Sequence, residues 1–309
     1  MRKLVFILSV LFLSNATAQQ RSVSITIDDV PNVHLYKEDG NVSVLQRRLD
    51  SLQVPVGIFI NEVNLKQTGD EKGNIQLLKS WILKPYTTVG NHSYSHFNYG
   101  EVGADVFEKD VLKGAGLTGK MLAKTGKAMR YFRFPFNALG KDSAAHVHME
   151  QFLQKHGYIS TPFTVESEDW LYTQLYEHAL KNGKPAEARQ VAERYVNRTL
   201  KAFAYFDSLS TVLHGRPVRQ IYLCHDNRLN TDYLAVIVQK LKQQQYKMIS
   251  LEEALEDPLY KSVDYYAGNA GFSWIYRWVQ DPSERKRLLR AEPEDAETQR
   301  AFEAMGKLR

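Results

Sequence analysis

The sequence holds one cysteine, Cys224, in 309 residues. That excludes an intrachain disulfide, and a chain of this length buries a sufficient core without one. No apolar run reaches the roughly 20 residues that a membrane-spanning helix needs. The longest, Leu4 to Leu13, follows Arg2 and Lys3 and precedes Asn15-Ala16-Thr17-Ala18. That is the pattern of a signal peptide over residues 1–18 with an A-x-A cleavage site. The mature chain is expected to start near Gln19, without a membrane anchor, in a secreted or periplasmic location. No cysteine stands directly after the cleavage site, which argues against lipid attachment there. Strong charge of one sign is also lacking. The net charge is +5, and it falls to about +3 once the signal leaves. Lysines and arginines are dispersed, so nucleic acid is not an expected partner.

What is present is an alternation of short apolar runs with segments of helical period. The expected strands are 23–28, 54–60, 87–89, 131–134, 158–161, 219–223 and 247–249. Between them lie amphipathic helices, one carrying Leu45, Leu49 and Leu52 behind Asn41 or Ser43. Another carries Leu234, Ile237, Val238 and Leu241 behind Asn230 or Thr231. About seven repeats of strand and helix predict an α/β fold, a distorted (β/α)7-type barrel. Two segments fall outside the repeat. One is a helical insertion over 186–209 with a Leu200, Phe203, Phe206 stripe. The other is a C-terminal helical extension over 258–309, which leaves 19–257 for the barrel. Trp274, Tyr276 and Trp278 in the extension read as anchors to the barrel, with a sugar-stacking surface as the alternative.

Taken singly, the polar features are weak. Asp28-Asp29 suits a turn or a helix cap. His92 and His96 stand four apart, as on one side of a helical turn, which suits a metal ion but also occurs by chance. His225 fits a hydrogen-bonded core histidine equally well. Placement adds to them, because Asp28, His92, Arg133, Asp169 and His225 fall at or just beyond strand C-termini. On barrels that rim carries the reactive groups. Two imidazoles and a carboxylate form a three-ligand set with open positions, as hydrolytic metal sites have. Strand alternation puts Leu223 and His225 on one face and Cys224 on the other, as buried packing. His34 lies close enough to the first motif to reach a cleft, and Asn61 and Asn91 follow strands. His146, His148, His156, His178 and His214 read as surface or capping residues, and Tyr94 and Tyr99 stay ambiguous.

Five ordered stretches resemble the polysaccharide deacetylase family, carbohydrate esterase family 4. They are Thr26-Ile27-Asp28-Asp29-Val30-Pro31, Gly90-Asn91-His92-Ser93-Tyr94-Ser95-His96, Arg133-Phe134-Pro135-Phe136, Asp169-Trp170 and Leu223-Cys224-His225. The resemblance implies that Asp29, His92 and His96 hold one divalent metal ion, usually zinc. It implies Asp28 as general base paired with Arg133, and His225 as general acid oriented by Asp169. The Phe136 backbone N–H would complete an oxyanion site, with Trp170 and Leu223 around the acetyl methyl group. Val30 stands where the family commonly has Gly, and Phe136 where it commonly has Tyr. The expected activity is hydrolysis of N- or O-linked acetyl groups on an extracytoplasmic carbohydrate. A small non-peptide amide on the same site is the alternative substrate, and an inactive carbohydrate-binding protein the alternative of another class. The sequence leaves the sugar and the oligomeric state open.

Overall fold

The computed structural model describes residues 20–306. The expected signal peptide lies outside the described residues. The strands are β1 (Ser22–Val30), β2 (Val56–Ile60), β3 (Thr87–Asn91), β4 (Tyr131–Phe132), β5 (Ile159–Ser160), β6 (Val165–Glu166), β7 (Gln220–His225) and β8 (Lys247–Met248). They run β5-β4-β3-β2-β1-β7-β6, with β8 also on β1. Every pairing is parallel. Parallel strands are linked by helices that cover the sheet, so central strands are buried on both faces. β1 and β2 obey this: consecutive residues, hence both faces, are buried from Ser22 to Asp28 and from Val56 to Ile60.

The sheet curls into an incomplete barrel of the distorted (β/α)7 type, as the alternation implied. Its two edge strands, β5 and β6, follow one another in sequence and are joined by residues 161–164 rather than by a ladder. The sequence reading had no strand at Val165–Glu166, which is two residues long and comes just after Pro162. β3 runs on to Asn91 because its partner β2 continues to Ile60. β4 stops at Phe132, and Arg133 turns its side chain inward.

The insertion is a 30-residue helix, Pro185–His214, with proline in its first turn and Gly215 left-handed at its end. Phe203 and Phe206 are buried on it. Of the two helix starts left open, Ser43 does cap Val44–Leu52. The other helix begins at Arg228 instead, capped by Asn227, which accepts from the Asn230 N–H. The extension packs on the barrel: Trp274, Tyr276 and Trp278 are buried in the main core, so they anchor and do not offer a free stacking surface. Buried Arg277 pairs with Asp264 at 2.6 Å and lies over the Trp274 ring. No helix among the described residues is long and apolar enough to cross a membrane.

Candidate active site

Strict alternation along β1 would send Asp28 and Asp29 to opposite faces. The ladder with β2 breaks register between Ile27 and Val30, and Asp29 adopts φ of 61°. This irregularity turns both carboxylates toward the same cavity, a known use of bulges at strand ends. On the other side of β1, Asp28 is paired in register with His225 of β7.

The segment after β3 is a loop and not the helical turn that the four-residue spacing suggested. Ser93 and His96 have φ of 61° and 58°, and the Ser93 hydroxyl accepts from the His96 N–H. The loop brings His96 Nε2 to 3.4 Å and His92 Nε2 to 3.8 Å from Asp29 Oδ1. One donor atom from each of the three residues lies within 4.8 Å of the others. His92 Nδ1 is 2.8 Å from the Arg133 carbonyl, so Nδ1 carries the hydrogen and Nε2 presents its lone pair. Burial holds both imidazoles down to about 4, hence neutral near pH 7. Tetrahedral coordination at roughly 2.0–2.2 Å spaces donor atoms a little over 3 Å apart. This donor set therefore fits a divalent cation of the zinc kind with little adjustment.

The loop is braced from below. Asp110 accepts from the Ser95 N–H at 2.8 Å, and Asn61 donates to the carbonyls of His92 and Ser93. A Cβ on Gly114 would stand 2.6 Å from the Ser93 carbonyl carbon, so only glycine lets that helix end approach the loop so closely. Asn91 is wholly buried, bonded to the Val111 carbonyl and the Tyr158 hydroxyl, so it holds the loop and does not line the cleft.

Arg133 is fully buried behind Asp28 and donates to its Oδ1 at 2.8 Å and to Thr26 Oγ1 at 2.7 Å. Its other terminal nitrogen donates to the Pro162 carbonyl, so one guanidinium ties Asp28 to the segment that spans the barrel's opening. Phe136 has φ of 58°, and its ring meets the His96 ring edge-on at 4.6 Å. Among non-glycine residues with positive φ, Asp29, Ser93, His96, Phe136, Asn137 and Glu168 all belong to this rim, as strain at functional sites does.

Across the cleft, His225 Nδ1 is 2.7 Å from Asp169 Oδ1. Asp169 Oδ2 accepts from the His225 N–H, Asn227 Nδ2 and Asn230 Nδ2. Tyr195, on the inserted helix, donates to Asn230 Oδ1 at 2.6 Å, and its oxygen also meets the Tyr222 hydroxyl. Burial alone pushes the His225 imidazolium toward losing its proton. The Asp169 charge and hydrogen bond outweigh that and raise its pKa to about 10. The reciprocal effect lowers Asp169 despite its own burial.

Asp28, Asp29, His92, His96, Phe136, Trp170, Leu223 and His225 line one cavity of about 890 Å³. Arg133 and Asp169 stand behind it, each bonded to a residue of its wall. His34 and Asn61 also line it. His146, His148, His156, His178 and His214 do not, and Tyr94 and Tyr99 are buried packing. Among the wall residues that sequence reasoning did not mark, three bear on the site's charge or shape. Glu166, raised to about 8 by burial and then by the Asp169 charge, is the second residue of the unrecognised β6. Asp226, raised to about 7 by burial, accepts from the Asn32 N–H. Gly271, from the extension, packs so closely that a Cβ would stand 2.1 Å from the Phe136 carbonyl oxygen.

The family model described as polysaccharide deacetylase matches residues 15–158. Among solved structures, the chain is similar to a mutant of BA3943, a CE4 family pseudoenzyme from Bacillus anthracis. The identity is 19%, over 77% of this chain and 68% of that one, with a TM-score of 0.53. A second BA3943 mutant, with restored enzymatic activity, matches at 21% over 77% and 68% with a TM-score of 0.52. The Bc1960 peptidoglycan N-acetylglucosamine deacetylase matches at 16% over 76% and 88% with a TM-score of 0.51. At these identities the structures establish a shared fold. Among curated proteins no relative matches.

Proposed function

We propose that this chain, which carries a polysaccharide deacetylase domain, is an extracytoplasmic metal-dependent hydrolase that removes acetyl groups from carbohydrate. One observation carries the reading. Three donor atoms from Asp29, His92 and His96 converge in a cavity flanked by an arginine-held carboxylate and an aspartate-held imidazole.

Asp29, His92 and His96 would hold one divalent cation, with zinc the best match to the donors. When bound, such an ion polarises a carbonyl and brings the pKa of a water to about 7. Asp28 is fixed through Oδ1 by Arg133, which leaves Oδ2, 3.7 Å from His92 Nε2, turned to the cluster to take the water proton. His225 has Nδ1 committed to Asp169, so Nε2–H is the proton available to the departing nitrogen or oxygen. The water oxygen bonds to the acetyl carbon, the C–N or C–O bond breaks, and acetate leaves with the amine or alcohol reprotonated. The Phe136 N–H supplies an oxyanion donor, and Leu223 and Trp170 form the apolar slot for the methyl group. The signal-like N-terminus supports an extracytoplasmic site of action.

The intact set of base, ligands and acid favours an active enzyme over a carbohydrate-binding relic. Acetate release from acetylated chitooligosaccharides, acetylxylan and peptidoglycan, with and without chelator, is the test. Chelator-sensitive release from at least one of them is expected. Release only from small amides would move the substrate class, and sugar binding without any turnover in the presence of zinc would leave a binding protein.

A further inference from the structure

Glu168 stands between β6 and Asp169, at the start of the helix Asp169–Lys181, with φ of 58° and ψ of 33°. That left-handed conformation crowds a side chain with a Cβ, and a glutamate keeps it only where surrounding contacts hold it. Glu168 is not among the residues that line the catalytic cleft, although its neighbour Asp169 orients His225. Two of its contacts come from the segments that the barrel repeat leaves unexplained. Gln299 Nε2, on the C-terminal helix Ala296–Gly306, donates to its Oε1 at 3.1 Å. Arg198 Nε, on the inserted helix, lies 3.5 Å from its Oε2 as an ion pair with the arginine buried. Arg198 is held in turn by Glu292, to which its Nη2 donates at 3.1 Å, and Glu292 also accepts from the Tyr276 hydroxyl.

The C-terminal helix holds the next turn as well. Phe302 meets the Trp170 ring edge-on at 5.6 Å, and Asp295, just before the helix, accepts from the Tyr172 hydroxyl at 2.8 Å. Asp295, Gln299 and Phe302 are spaced four and then three apart, which puts them on one helix face. That face meets Glu168, Trp170 and Tyr172, so it brackets Asp169 along the chain. Asp169 Oδ1 stands 2.7 Å from His225 Nδ1, and such a bond weakens steeply once its angle closes. Rotation of Glu168 out of its left-handed state would swing the Asp169 carboxylate off the imidazole. The ring would then be free to turn, and Nε2–H would lose its aim at the departing group.

We propose that Glu168 is a positioning residue for the acid: clamped by Arg198 and Gln299, it fixes the helix start that aims Asp169 at His225, a role that rests on the deacetylase reading. The inserted helix and the extension thereby act on the step in which the leaving group takes its proton.

The test sets acetylated chitooligosaccharides, acetylxylan and peptidoglycan against 4-nitrophenyl acetate, whose leaving group departs as a stable anion without a proton from His225. Zinc-loaded wild type, Glu168→Ala, Glu168→Asn and Gln299→Ala are compared, with zinc content measured and circular dichroism checking the fold. Alanine loses the clamp and keeps the steric penalty, whereas asparagine accepts left-handed backbone more readily. In Glu168→Ala, kcat on the acetylated carbohydrate that wild type hydrolyses fastest is expected to fall about tenfold or more, part of the roughly 10²- to 10⁴-fold that a general acid supplies. KM, zinc content and 4-nitrophenyl acetate hydrolysis stay near wild type. Glu168→Asn recovers most of the loss, and Gln299→Ala shows a smaller one confined to the same substrates. Equal losses on both kinds of substrate, or no loss in Glu168→Ala, overturn the positioning role and leave the deacetylase reading standing. Should Glu168→Ala fail to fold, the same comparison in Gln299→Ala decides. Wild type that hydrolyses none of the acetylated carbohydrates overturns the deacetylase reading and the positioning role with it.

Discussion

At the scale of single residues, the two charged pairs do different work and should fail differently. Asp28 faces the cluster but is not one of the three converging donors, so Asp28→Asn should keep the metal while turnover falls by about 10²- to 10⁴-fold. Metal analysis beside acetate release distinguishes this from ligand loss. The His225–Asp169 pair has a pH signature. His225 is raised to about 10, so its contribution to stability is complete below its ordinary 6.5 and fades as pH climbs toward 10. Denaturant unfolding of the metal-free protein should show wild type losing its advantage over Asp169→Asn across that window. An advantage unchanged from pH 6 to pH 10 would mean that the pair does not share charge as the geometry indicates. Asp28, His92 and His225 were legible in the sequence because each is a polar exception at the end of an apolar run. Asn230 and Tyr195 were not, since Asn230 is 61 residues from Asp169 and Tyr195 looked like one more residue on a helix face.

At the scale of elements, the long strands were legible from β-branched runs and the short ones were not. β6 has two residues, and what makes it a strand is the neighbouring β7, a tertiary cause that no local pattern records. The His92–His96 loop was misread for a related reason. Four-residue spacing fits a helical turn, yet the backbone reverses through left-handed positions held by Asn61, Asp110 and the close approach of Gly114. The extension contributes an element-level prediction. Gly271→Val would drive a side chain into the Phe136 carbonyl and displace the turn that carries the proposed oxyanion donor. The expected loss in kcat is about 10²-fold or more, with zinc content unchanged. Unchanged kcat would show that the Phe136 N–H has no part in the reaction.

At the scale of the molecule, the extension looked in sequence like an appendage after residue 257, and the packing makes it part of the barrel. The opening between β5 and β6 is covered by residues 273–274: the Ser273 hydroxyl donates to the Thr164 carbonyl at 2.7 Å and the Trp274 N–H to the Phe163 carbonyl at 3.0 Å. A chain cut after residue 257 would expose Phe163 and the core that meets Trp274 and Tyr276. It should therefore unfold at markedly lower temperature or fail to fold, measured by circular dichroism. A truncated chain as stable as the whole would make the extension an independent unit. The entire functional account rests on a single cation gathered by groups from two separate rim segments. Anomalous scattering at the zinc edge, from crystals grown with one equivalent of zinc, tests it most directly. The account predicts one peak bounded by the Asp29 carboxylate, His92 Nε2 and His96 Nε2; a peak elsewhere, or zinc retained in full by His92→Ala, would contradict it.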